Sequence, residues 1–431
     1  MIGIAASRTF CFLFLYFSYK CRRDFSELVK YHLALLAQTP VVLFLNHNLD
    51  RGSYSFGDPN WPMMLPVLLS LIILSAAAVR FFMSATGKIR IFLSPIMIGY
   101  LAYTLLCILS AAQGSDPKWS FYAILWTLPF GCIFFFAGKQ DYRLASNSTP
   151  LTYSVIFSCL LSIMIVIFAL VTGRTHSIFN TRSYGSILSI TGVLQMLIVY
   201  VPLASFEKRN SKVLEVLFWS LPVAVFGLSL SRSAVVPFFV CLLAMSKAYN
   251  FNIKTFIFRP ATYIAGLFVG TVTVVVLFFT QMGEVWLVRF TQLPYAVQLR
   301  LEIFAPYWKS IKMGNPFYGV GYGLTRFHHP EGYTDLHNLL LTELFENGLG
   351  AAIVFFVILL MVSSYIFRCL MQKKFMLISI TVLLTILLAH LQGINLAIRN
   401  PGAYTTPYFT CVLFLMFGLL ERQVFEENDQ H

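Results

Sequence analysis

Apolar runs of about 17 to 23 residues recur from one end of this 431-residue chain to the other, separated mostly by short polar connections. A run of that length, wound as a helix, crosses roughly 30 Å of hydrocarbon. Lipid offers the backbone no hydrogen-bond partners, so each run must satisfy its own N–H and C=O groups, and a helix does so. A transmembrane barrel would show alternating segments of about ten residues instead. Composition agrees: 58% of residues are hydrophobic and 11% charged, with mean hydropathy +0.74, against about 25% charged in a soluble domain. The expected fold is an all-α polytopic membrane protein.

About twelve transmembrane helices are expected, at 31–47, 62–83, 92–112, 121–137, 152–172, 184–205, 213–230, 232–247, 260–280, 349–367, 375–391 and 403–421. The short apolar stretch 9–19 ahead of them has the length of a signal-peptide core. Lys20, Arg22 and Arg23 follow it where small cleavage-site residues should stand. An interfacial or partly inserted segment is therefore expected there.

Orientation follows from lysine and arginine in the connections, which concentrate on the cytoplasmic side. With the N-terminus inside, twenty of the 31 basic residues fall inside and eleven outside, five of those eleven in one long loop. Three regions result. Residues 1–280 hold the N-terminal segment and nine spans, 281–348 form a large outward loop, and 349–431 hold three spans and a short cytoplasmic tail. In a Gram-negative cell the chain is multi-pass in the inner membrane, with the loop in the periplasm.

The net charge of +13 is spread over these connections rather than gathered into the patch that a nucleic-acid surface needs, so no nucleic-acid partner is expected. The eight cysteines lie singly, with no CxxC spacing, and propose neither disulfide nor zinc. No HExxH, Walker A or GxSxG pattern occurs, and no Asp-x-Asp cluster marks a metal-bound sugar nucleotide. Neither cofactor nor metal is expected.

Chemistry is expected in the long loop. It holds His328, His329 and His337, the turn Gly319-Val320-Gly321-Tyr322-Gly323, and the run Asp335-Leu336-His337-Asn338 leading to Glu346, Gly348 and Gly350. The turn is too compact for a dinucleotide fingerprint and reads as backbone needing φ > 0. His337 precedes Leu339, Leu340, Leu341, Leu344 and Phe345, a pattern expected to form an amphipathic helix at the membrane surface. An imidazole there either takes a proton from an incoming hydroxyl or simply bonds a loop carbonyl. Arg232, between two apolar runs, either snorkels to headgroups or binds phosphate, and Arg300 is open to a similar pair of readings, with Glu302 balancing its charge. Guanidinium groups hold phosphate oxygens bidentately and keep their charge. Arg182 falls on the same outer face.

His337-Asn338-x-x-Leu341 followed by Glu346-x-Gly348 resembles the signature of the O-antigen ligase and polymerase superfamily. Leu230-Ser231-Arg232-Ser233-Ala234 is similar to its Ser-Arg or Thr-Arg element. Arg300, ahead of Trp308, Asn315-Pro316 and Gly319-Val320-Gly321, is similar to its loop arginine and Gly-x-Gly turn. The likeness covers about residues 213–365. One departure is Ala351, where family members often carry a third glycine, a difference that bears on helix packing more than on chemistry.

The resemblance implies a C-type glycosyltransferase that uses an undecaprenyl-pyrophosphate-linked glycan without metal or nucleotide. His337 would act on the acceptor hydroxyl and Arg232 and Arg300 would hold the pyrophosphate. Asn338 and Glu346 would orient the loop at the substrate; Arg182, outside the resembling stretch, is expected among the substrate-binding residues from its place on the outer face alone. The twelve spans, late outer loop and short C-terminus look more like the ligase branch, whose acceptor is lipid A–core, than the polymerase branch, which extends lipid-linked repeats. A transporter for an anionic solute is the alternative of another class. Against it stand the absence of an inverted hydropathy repeat and the few ionisable residues within the spans.

Overall fold

The computed structural model describes residues 2–49, 61–84, 94–140, 142–143, 148–171, 200–228, 315–324, 339–371, 379, 382 and 408–428. Its described elements are α-helices: α1 (Ile2–Lys20), α2 (Phe25–Leu49), α3 (Trp61–Ser84), α4 (Pro95–Gln113), α5 (Pro117–Gln140), α6 (Pro150–Val171), α7 (Lys212–Leu228), α8 (Leu339–Met371) and α9 (Tyr408–Asn428). A further helical turn covers 200–205. The runs at 232–247 and 260–280, and most of those at 184–205 and 375–391, lie outside the described residues.

Among the described residues, three helices are long and apolar enough to cross a membrane: Pro95–Gln113, Pro117–Gln140 and Leu340–Met371. Shorter apolar stretches cover Leu65–Phe81 and Pro150–Met164. Among the described residues the protein is all-α, with helices of membrane-spanning length and apolarity. α1 is longer than the apolar run at 9–19, because Ile2 to Arg8 continue the same helix. It packs along α2 and α3.

Local sequence sets the helix ends. Ser94 accepts a hydrogen bond from the Met97 N–H at 3.2 Å, with Pro95 at the first helical position of α4, where a missing N–H costs nothing. Asp24 accepts from the Glu27 N–H at 3.0 Å, and Asp116 from the Trp119 N–H at 3.1 Å.

Packing differs from that of a water-soluble bundle chiefly on the outer face, because an apolar core is buried and large apolar side chains are exposed as well. Leu101, Leu105 and Leu109 of α4 and Ile353, Phe356 and Leu360 of α8 are exposed, while Ser110, Thr342, Glu343 and Glu346 are buried. That arrangement suits lipid outside and hydrogen-bonded polar groups inside. α5 and α9 approach most closely. A Cβ on Gly138 would overlap the Leu415 carbonyl oxygen, and one on Gly418 would overlap that of Phe135.

Connections segregate to two ends. At one end the 315–324 segment meets the α4–α5 connection, with Ser115 N–H donating to Val320 O at 3.3 Å. At the other, Arg143 N–H donates to Ser26 Oγ at 2.9 Å, Leu151 and Thr152 N–H donate to Glu207 at 3.1 and 2.8 Å, and Lys139 lies 3.7 Å from Glu421. The connections with the heavier load of basic residues share the second end.

Candidate functional site

The first end is built around one knot of backbone. α8 is two helices joined at Gly348, whose φ of 74° and ψ of −178° are not helical. That combination is essentially restricted to glycine. A Cβ there would also overlap the Phe317 carbonyl oxygen. The 315–324 segment lies across the break. Val320 N–H donates to Phe345 O at 3.0 Å, Gly321 N–H to Glu346 O at 2.9 Å, and Leu349 N–H to Pro316 O at 2.7 Å. These bonds occupy groups that a helix break would leave without partners.

Gly319, Gly321 and Gly323 carry φ of 66°, 115° and 77°. The turn expected from sequence to need positive φ is present, and glycine is what makes three such residues in five affordable. Glu346, 1% exposed, completes the knot. Its Oε2 accepts from the Gly323 N–H at 2.8 Å, and its carbonyl oxygen accepts from Ser110 Oγ at 2.8 Å. The same Ser110 hydroxyl lies 2.6 Å from Tyr318 O, its single proton shared between the two carbonyls, so α4 holds both sides of the contact. Glu346 binds the loop backbone here, which is how a residue that orients the loop would behave.

The helix ahead of the break differs from the surface helix expected at 339–345. Thr342, Glu343, Glu346 and Asn347 are buried, whereas Leu340, Leu341 and Leu344 are half-buried. Its polar face turns inward onto α4, because Tyr103 and Ser110 offer hydrogen bonds there and lipid offers none. Tyr103 Oη donates to Glu343 Oε2 at 2.8 Å, and Asn347 Nδ2 donates to the same oxygen at 2.7 Å. The polar positions at 342, 343, 346 and 347 recur at helical spacing, the one sequence signal that would have singled out Glu343 and Asn347.

Of the residues singled out for chemistry, Glu346 alone is described. Arg182, Arg232, Arg300, His328, His329, His337 and Asn338 lie outside the described residues. In sequence, α8 opens at Leu339, two residues after His337. Among the described residues no group of His, Cys, Asp and Glu is arranged to hold a metal ion.

The opposite end has a polar cluster that sequence reading missed. Lys30 is fully buried, 3.5 Å from Glu27 and 5.3 Å from the centre of the Tyr142 ring. Glu207 caps the start of α6 through Leu151 and Thr152. Burial pushes its carboxyl up to about 7, opposed by those backbone bonds and by Lys30. No family model, curated protein or solved structure matches this chain.

Proposed function

We propose that this chain is an O-antigen ligase, a metal-independent, inverting glycosyltransferase of the inner membrane. Its donor is a glycan on undecaprenyl pyrophosphate and its acceptor is lipid A–core, joined on the periplasmic face. In this reading the chain has twelve spans, cytoplasmic termini and an outward loop over 281–348. The observation that carries it is the knot itself. Gly319-Val320-Gly321 and Glu346-x-Gly348, two separate pieces of the resembling stretch, are bonded to each other through Glu346.

Chemistry follows from residue types. The acceptor hydroxyl oxygen attacks the anomeric carbon from the face opposite the pyrophosphate, and the carbon–oxygen bond to the phosphate breaks as the new one forms. His337 takes the hydroxyl proton, a contribution of roughly 10²–10⁴ in rate. Arg232 and Arg300 bind the departing undecaprenyl pyrophosphate through paired N–H donors and stabilise its growing charge. One displacement inverts the anomeric centre, with no covalent intermediate. Asn338 and Glu346 hold the loop that presents His337, and Arg182 adds positive charge on the same face.

The polymerase reading uses the same donor with a lipid-linked glycan as acceptor; a transporter would use the arginines as anion ligands without bond making. Gene deletion followed by lipopolysaccharide gel analysis separates these. A ligase deletion removes all capped bands while lipid-linked polymer accumulates. A single repeat left on the core marks a polymerase, and an unchanged ladder rejects both enzymes.

A further inference from the structure

We propose that Glu343, held by Tyr103 and Asn347, is a positioning residue that fixes the roll of the helical segment opening two residues after His337 in sequence. The inference rests on the reading of His337 as general base and names a residue outside the motif that suggested it.

The segment 339–347 is tied down at two places. Its C-terminal end is locked by backbone bonds from Val320 and Gly321 and by the Glu346 carboxylate. One turn earlier, Glu343 reaches α4, accepting from Tyr103 Oη at 2.8 Å and from Asn347 Nδ2 at 2.7 Å on one oxygen. Lock and reach use different groups: the knot at Gly348 is bonded through main chain and the Glu346 carboxylate, the reach through the Glu343 carboxylate. A leucine at 343 would serve plain packing against α4 without burying a carboxylate, which is expensive in a membrane interior and tends to mark function.

Glu343 controls the roll of this segment about its own axis. Tyr103 is itself fixed, buried between Tyr100 and Phe355 with ring centroids 6.2 and 5.4 Å away. From Glu343 back to Leu339 is about 6 Å of helix, and His337 follows two residues further up the chain. In the reading of His337 as general base, losing the tie at Glu343 is expected to act on rate, because a misplacement of about 1 Å at a reacting group costs on the order of 10²-fold.

The test uses purified full-length protein with lipid-linked glycan donor and lipid A–core acceptor. Glu343→Leu and Tyr103→Phe are expected to lower kcat roughly 10- to 100-fold with donor KM within about twofold. Glu343→Gln, whose amide oxygen still accepts from Tyr103, is expected to recover most of the rate. Backbone hydrogen exchange at 343–346 should quicken in the Leu and Phe variants and not in the Gln variant. Should Glu343→Leu not fold, Tyr103→Phe and Glu343→Gln decide. Turnover within twofold of wild type for Tyr103→Phe and Glu343→Leu overturns the proposal. So does a Gln variant as slow as the Leu variant, which would assign the carboxylate a direct part in the chemistry. His337→Ala is run alongside: full turnover in that variant refutes the general-base reading itself, while exchange at 343–346 still reports the tie to α4.

Discussion

Gly323 donates its backbone N–H to the carboxylate of Glu346 at 2.8 Å, buried at one end of the helix bundle and 23 residues away in sequence. The same Glu346 accepts through its carbonyl oxygen from Gly321 and Ser110. One residue thus closes a glycine turn onto a helix break, and the removal of its side chain affects the turn and leaves the backbone bonds in place.

Glu346→Ala should cost about 1–3 kcal/mol of stability, because the Gly323 N–H is left buried with its acceptor gone. Glu346→Gln keeps an acceptor oxygen and should cost less. Thermal unfolding of the purified variants in detergent ranks them, and an alanine variant as stable as wild type would show that the carboxylate does not hold the turn.

Gly348 should be sensitive to alanine and Gly350 should not. At Gly348 the backbone conformation costs a non-glycine residue about 1–3 kcal/mol, and a Cβ would overlap the Phe317 carbonyl. At Gly350 a Cβ would meet a Leu106 methyl at 3.8 Å, an ordinary contact. Expression level and unfolding temperature should fall for Gly348→Ala and hold for Gly350→Ala.

Glu207 should make stability depend on pH. Burial raises its carboxyl from the ordinary 4.5 to about 7, so the folded state favours the protonated form. Its contribution is fully present below about 4.5 and is lost as pH rises toward about 7. Relative to Glu207→Gln, wild type should lose stability across that window. Unfolding temperatures of both proteins between pH 4.5 and 8 check this, and parallel curves would contradict it.

His337→Ala should abolish glycan transfer while donor binding survives, and chelators should leave wild-type turnover unchanged. Arg232→Lys and Arg300→Lys should each lose much of the activity and weaken donor binding, since an ammonium lacks the planar fork. Near-native turnover in the lysine variants would leave both arginines as headgroup anchors.

Cysteines placed at Ser310 and Thr334 should react with an impermeant thiol reagent in cells whose outer membrane is permeabilised. Protection at both sites until lysis would reverse the orientation proposed for the loop.

The helical, membrane-type character of the described residues was legible because it depends on local properties of the chain. Hydropathy summed over about twenty residues identifies α4, α5 and the long arm of α8 wherever they pack. The basic residues sort the connections into two sets, and in the structure the segment at 315–324 meets the α4–α5 connection while the stretches around Ser26, Arg143 and Glu207 meet one another. The turn at 319–323 could be read as positive-φ backbone from its glycines, since other residues rarely adopt it.

What local reading could not supply was the roll of each helix and its partner. Leucines at 339–341 and 344 suggested a helix with its apolar face buried and its polar face wet, and the bundle turns Thr342, Glu343 and Asn347 inward instead. Tyr103 and Glu343 are 240 residues apart, and Glu207 caps a helix that begins 57 residues before it. No periodicity in either stretch encodes such a pair. In lipid, apolar faces are satisfied almost anywhere, so the choice among orientations falls to a few hydrogen bonds between distant helices. Those bonds exist only once the helices are side by side, and the tertiary structure decides them.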